Sequence, residues 1–141
     1  MNTKKKLRIL VAAAPSASGA IESALGDEHE VVRAENLSQA KQQLENVIDM
    51  TVCDLYFDDS RMFDLLRRAK ADESTRTMPF LAIKTSDGAL SATLRQGVEI
   101  ACAALGAEKF IDLAQWEQSY GRPAAHERLR ALVAHALQAK P

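Results

Sequence analysis

Five short apolar runs, each followed by a longer stretch with apolar residues at helical spacing, divide this chain from end to end. Leu7-Arg-Ile-Leu-Val-Ala reads as a strand, and Ser16 to Leu25 as a helix with Ile21, Ala24 and Leu25 on one face, opened by a Ser cap and closed near Gly26. Glu30-Val-Val-Arg-Ala is a second strand, followed by a helix from Ser38 to Val47 that carries Ala40, Leu44 and Val47. Met50 to Leu55 is apolar on both faces, as a central parallel strand is, and Arg61 to Ala71 turns Met62, Leu65, Leu66 and Ala69 inward. Met78 to Ile83 makes a fourth strand with Pro79 at its start, where a missing amide does least harm. Leu90, Leu94, Val98, Ala101 and Leu105 mark a long fourth helix with Gly106 as its C-cap. Lys109 to Leu113 is the fifth strand, and Leu129, Leu132, Val133, Ala136 and Leu137 mark the last helix. Right-handed crossovers then require a five-stranded parallel sheet with helices on both faces, a three-layer α/β arrangement.

The 141 residues suffice for one domain with a real core, spanning the whole chain with its repeats between about 7 and 137; no linker or second module is expected. The 18 basic and 19 acidic residues leave a net charge of −1, which argues against nucleic acid as a partner. No stretch approaches the length of a membrane helix. The start, with Lys4-Lys5-Lys6 before Ile9 to Ala14, also has the outline of a secretory leader. A buried first strand accounts for it at least as well, because the apolar run is short and Pro15 stops it; the strand is the preferred reading. Cys53 and Cys102 stand far apart in apolar contexts, suggesting reduced core thiols and a cytoplasmic location.

In such sheets, function sits where the carboxyl ends of the strands meet a topological switch point. "DMTVCDLYFDD", Asp49 to Asp59, places Asp54 at one of those ends. The six glycines stand singly, which excludes a phosphate-cradling loop. His29, His126 and His135 are scattered; the last two, nine apart on a helical stretch, do not share a face for a metal and are expected at the surface. Ser16 and Ser18 lack a nucleophile-elbow pattern, and helix capping accounts for them.

Over nearly its full length the order of elements resembles the receiver domain of two-component response regulators, the CheY-like, flavodoxin-like fold with strand order 2-1-3-4-5. "IDMTVCDLYFDDSRMFDLLRR", Ile48 to Arg68, is similar without gaps to the family's third strand and third helix and puts the phosphoacceptor position on Asp54. "LGAEKFIDL", Leu105 to Leu113, and "MPFLAI", from Met78, resemble the approaches to the fifth and fourth strands. Against that pattern, Ala13 and Ala14 fall where the family carries an acidic pair, and Leu113 where it carries a Lys. The family's Ser or Thr falls on Lys84, or on Thr85 after a one-residue slip; its loop Gly and Pro fall on Met62 and Asp58.

Phosphoryl transfer to a carboxylate is positioning and charge neutralisation. The resemblance implies that an acidic pair and the acceptor together hold Mg²⁺, which demands near-octahedral oxygen ligands. Two alanines supply none, and Leu113 supplies no cation. The expectation is an atypical receiver that acts by protein–protein interaction, not an enzyme, and without a metal or other cofactor. Three compensations are open: Asp58 and Asp59 rebuilding a metal site, against the preferred reading that they cap a turn or the next helix; Lys84 pairing with Asp54, against a solvated strand-end Lys84; and slow phosphorylation of Asp54 at a noncanonical site, against an acid that caps its loop. A small-molecule-binding module is the reading from another class, with the two alanines leaving room for a ligand. Trp116 and Tyr120 are candidate interface anchors, with fold-back over the core favoured for Trp116 and Tyr120 left open. In the resembled family, the face of the fourth helix, fifth strand and fifth helix receives partners: a histidine kinase, another regulator, or a second copy.

Overall fold

The computed structural model describes residues 6–138. Five parallel strands, β1 (Arg8–Ala12), β2 (Glu30–Ala34), β3 (Met50–Asp54), β4 (Phe80–Lys84) and β5 (Lys109–Asp112), form one sheet in the order β2-β1-β3-β4-β5. The expected topology is therefore the observed one. The third and fourth strands are buried at every residue, which is why their sequences are apolar without alternation.

Helices α1 (Pro15–Leu25), α2 (Leu37–Gln43), α4 (Met62–Ala71), α5 (Ala92–Leu105), α6 (Leu113–Tyr120) and α7 (Arg122–Gln138), with the single turn α3 (Phe57–Ser60), complete the chain. Pleating sends alternate strand residues to opposite faces. On one face, Ile9, Val11, Met50, Val52, Leu81 and Ile83 pack with Ile21 and Ala24 of α1 and with Leu129 and Val133 of α7. On the other, Leu10, Ala12, Cys53, Phe80 and Ala82 pack with Ala40 of α2, Leu65 and Leu66 of α4, and Val98 and Cys102 of α5. Both cysteines are free and buried, as expected of core thiols.

The differences from the sequence expectations lie at the ends of elements. Ala14, not Ser16, is the N-cap of α1; Pro15 opens the helix, and the buried Ser18 hydroxyl turns back to the Ala13 carbonyl at 3.4 Å. The second helix stops at Gln43, so Leu44 still packs inward but Val47 lies outside the helix and is 74% exposed. The fourth sequence helix begins at Ala92 because Ser91 caps it, its hydroxyl accepting the Leu94 amide at 3.1 Å. Gly106 closes it in the left-handed region at φ 94°, as expected of a C-cap glycine.

One helix was absent from the sequence reading. The fifth strand ends at Asp112 and the chain turns at once into α6, with Asp112 accepting the Gln115 amide at its start. Among the described residues, no helix is long and apolar enough to cross a membrane.

Candidate functional site

Asp54 closes β3 and is buried, with 6% of its surface exposed. Its Oδ2 accepts the Tyr56 amide at 2.9 Å, and its Oδ1 lies 3.4 Å from the Thr85 hydroxyl in the loop after β4. Burial raises its pKa above the ordinary carboxylate value, an effect opposed first by the Tyr56 amide, then by Thr85 and last by the charge on Lys84. Buried Cys53 beside it has a thiol pushed well up, by burial first and the Asp54 charge second.

Where the sheet edge faces Asp54, the neighbouring positions are apolar. Ala13 is fully buried against α1, its amide donating to the Ala34 carbonyl at 3.0 Å, and Ala14 is exposed at the helix cap. Leu113 is 2% exposed and packs in the α1–α7 half of the core. None of the three side chains carries a polar atom or a charge. Among the described residues, no group of three His, Cys, Asp or Glu side chains could hold a metal. Asp54 is one carboxylate with two of its lone-pair sites already engaged, whereas Mg²⁺ takes six oxygen ligands in near-octahedral geometry.

Asp58 and Asp59 do not rebuild the site, and their capping role differs from the one expected. Asp58, Asp59 and Ser60 take φ of 45°, 55° and 64°, a left-handed turn made without glycine. That turn sends the Asp58 carboxylate across to α2, where Oδ2 accepts the Leu37 amide at 2.8 Å. The helix it serves is the preceding one in sequence, not the next. Phe57, 1% exposed, anchors the turn in the core. Met62, where the resemblance puts a loop glycine, is instead fully buried in the first turn of α4.

Neither expectation for Lys84 holds. Its side chain is 1% exposed, so it is not solvated, and its ion partner is Asp112 on β5, with Nζ 3.5 Å from Oδ1. Register explains this: Asp54 stands beside Ile83, and Lys84 beside Asp112. One residue along a strand reverses the face, so Lys84 points away from the Asp54 side. Lys84 Nζ also donates to the Ser86 carbonyl. Arg95 of α5 reaches the other oxygen of Asp112, at 3.0 Å. Asp112 and Arg95 did not stand out in the sequence. The available signal was the spacing of Asp112 and Gln115, a capping-box pattern that encloses the apolar pair Leu113 and Ala114.

Trp116 folds back, half-buried, against the α1–α7 half of the core, as favoured. Tyr120 is 49% exposed, and the Arg128 guanidinium lies over both rings, 5.3 Å from the Trp116 centroid and 4.4 Å from that of Tyr120. His126 is not a free surface residue: its Nε2 lies 2.6 Å from Glu117 Oε2 and its side chain is 12% exposed. His135 is exposed, as expected.

No known family's sequence profile matches the chain, and no curated protein matches it. Solved structures do. A protein described as a response regulator from Chloroflexus aurantiacus is 22% identical, covers 92% of this chain and 99% of its own, and superposes with a TM-score of 0.69. The receiver domain of a sensor histidine kinase from Pseudomonas aeruginosa, described with magnesium in its active-site cleft, is 18% identical over 96% of this chain and 100% of that one, with a TM-score of 0.67. The fold is that of a CheY-like receiver domain. A third receiver-fold neighbour, the beryllofluoride-activated NtrC4 receiver domain, described as a dimer, is 19% identical over 95% of this chain and 98% of its own, with a TM-score of 0.69. At these identities the likeness is one of architecture, and the residues around Asp54 have to be judged on their own chemistry.

Proposed function

We propose that this chain is an atypical receiver domain that signals by binding a protein partner, with Mg²⁺-dependent phosphotransfer at Asp54 impaired. The observation that carries the reading is the company Asp54 keeps. Its carboxylate is satisfied by the Tyr56 amide and the Thr85 hydroxyl, while Ala13, Ala14 and Leu113 offer neither metal ligands nor a phosphate-binding cation. An attacking carboxylate needs its charge and that of the incoming phosphoryl group neutralised, and among the described residues Asp54 has no ion-pair partner, the charge on Lys84 being the last of the influences on it. Lys84 has its ion-pair partner in Asp112.

The partner surface in this reading is the α5–β5 side together with the last helix. Helix α5 buries only Val98 and Cys102, leaving Leu94 54% and Ile100 61% exposed on either side of Gly97. Apolar surface of this kind on a helix suits a protein contact, whether with a histidine kinase, another regulator or a second copy. The activated receiver dimer among the structural neighbours supports the last of these. A cytoplasmic location goes with such a role. A ligand-binding module is less well supported, because of the two alanines that would make room for a ligand Ala13 is fully buried.

The test is incubation with acetyl phosphate and Mg²⁺, read on a phosphate-affinity gel with Asp54→Asn as control. No retarded band is expected. A band that forms to near completion and disappears in Asp54→Asn contradicts the impairment.

A further inference from the structure

Asp112 ends β5 with both carboxylate oxygens engaged, and the groups it gathers come from separate elements. Oδ1 takes Lys84 from the end of β4 at 3.5 Å and the Gln115 amide of α6 at 3.1 Å. Oδ2 takes Arg95 of α5 at 3.0 Å. Lys84 in turn holds the Ser86 carbonyl, so the loop leaving β4 closes on the same cation. The Lys84 and Asp112 side chains are 1% and 3% exposed, where water cannot substitute for a lost partner. Asp54, by comparison, reaches the loop at Thr85 alone, through its backbone amide and a 3.4 Å contact to its hydroxyl, with no charged partner there.

We propose that Lys84, Asp112 and Arg95 form a standing latch that fixes the β4–α5 loop, α5 and α6 in one arrangement, so that the exposed α5 face is set by Asp112 and not by the chemical state of Asp54. The latch goes beyond the signalling reading, since it concerns what holds this surface whatever binds there. Its geometry gives the reason. A carboxylate that joins two cations and caps a helix ties four elements to one point, and moving any of them breaks a charge-assisted hydrogen bond to Asp112. Arg95, at 28% exposure, is the member that can be removed from the solvent side without cutting into the core.

Amide hydrogen exchange on the full chain, followed by mass spectrometry, tests the latch. Arg95→Gln should speed exchange about tenfold in peptides covering residues 85–97 and 113–120, since one charge-assisted hydrogen bond is worth roughly that factor in local opening. Strands β1 to β3 should keep wild-type protection in Arg95→Gln, and Asp54→Asn should accelerate neither peptide. Asp112→Asn should act in the same peptides and more strongly. If Asp112→Asn fails to fold, Arg95→Gln and Asp54→Asn decide the matter alone. Wild-type exchange in Arg95→Gln, or acceleration of these peptides by Asp54→Asn to the same degree, overturns the proposal. A phosphorylated Asp54 would register on the gel and not in this comparison, so the two ideas fail separately.

Discussion

The two members of the buried pair should not cost the same when neutralised. Asp112→Asn keeps the shape and keeps an oxygen for the Gln115 amide, since Asn caps helices as well as Asp does. It removes the carboxylate that is ion-paired with Lys84, whose side chain is 1% exposed and retains the Ser86 carbonyl. Leaving one charge of a buried pair uncompensated costs about 3–5 kcal/mol. Lys84→Met, similar in shape, leaves Asp112 with Arg95 at 3.0 Å and the Gln115 amide at 3.1 Å. What is lost there is one long charge-assisted contact and the Ser86 hydrogen bond, partly offset by burying methionine. About 1–2 kcal/mol is the expected cost. An unfolding entropy of about 2.1 cal/mol/K per residue makes roughly 0.3 kcal/mol/K for the chain. The expected Tm losses are then about 10–17 °C for Asp112→Asn and about 3–7 °C for Lys84→Met. Urea unfolding followed by the fluorescence of Trp116, the single tryptophan, gives the free energies, and calorimetry gives the Tm values. Equal losses, or a larger one in Lys84→Met, would refute the reasoning that Lys84 depends on Asp112 more than Asp112 depends on Lys84.

Burial raises the Asp54 pKa in the folded chain, so the native state binds a proton more tightly than the unfolded chain, and stability falls as pH rises from the ordinary carboxylate value through the native one. Asp54→Asn should therefore be the more stable protein at neutral pH, with the difference shrinking as pH is lowered toward 4; a difference independent of pH contradicts this. Cys102, buried and with its thiol pushed up to about 11 from 9.0, should hold roughly 100-fold less thiolate than an unperturbed cysteine at pH 8 and react with a disulfide reagent only as the protein opens. Native-state labelling as fast as a free thiol's sinks that account. In the left-handed turn, Asp59→Gly should stabilise by about 0.5–1 kcal/mol in urea titrations, whereas Asp58→Gly should gain less or lose, because it gives up the Leu37 amide. Equal gains at both positions would show that the Asp58 bond is worth nothing.

The sheet was legible because its strands are apolar on both faces, as in Met50 to Cys53 and Phe80 to Ile83, and because Ile21, Leu65 and Leu129 recur with neighbours at helical spacing. Helix α6 was not. Only Leu113 and Ala114 are buried in it, too few to set up a period, and the cap at Asp112 looked like the end of a strand. The Lys84 pairing was hidden for a different reason. Which carboxylate a strand-end lysine meets depends on the register of three strands, and a shift of one residue exchanges Asp54 for Asp112. The left-handed turn gave no sign either, since Asp58, Asp59 and Ser60 adopt a conformation that glycine would have announced.

Native mass spectrometry of the chain with beryllofluoride and Mg²⁺ puts the central claim to its most direct test. If the site around Asp54 is impaired as proposed, the spectrum should show one mass, that of the bare protein, with or without the mimic. A stoichiometric adduct of magnesium and beryllofluoride that vanishes in Asp54→Asn would mean that Asp54 assembles a working site despite Ala13, Ala14 and Leu113.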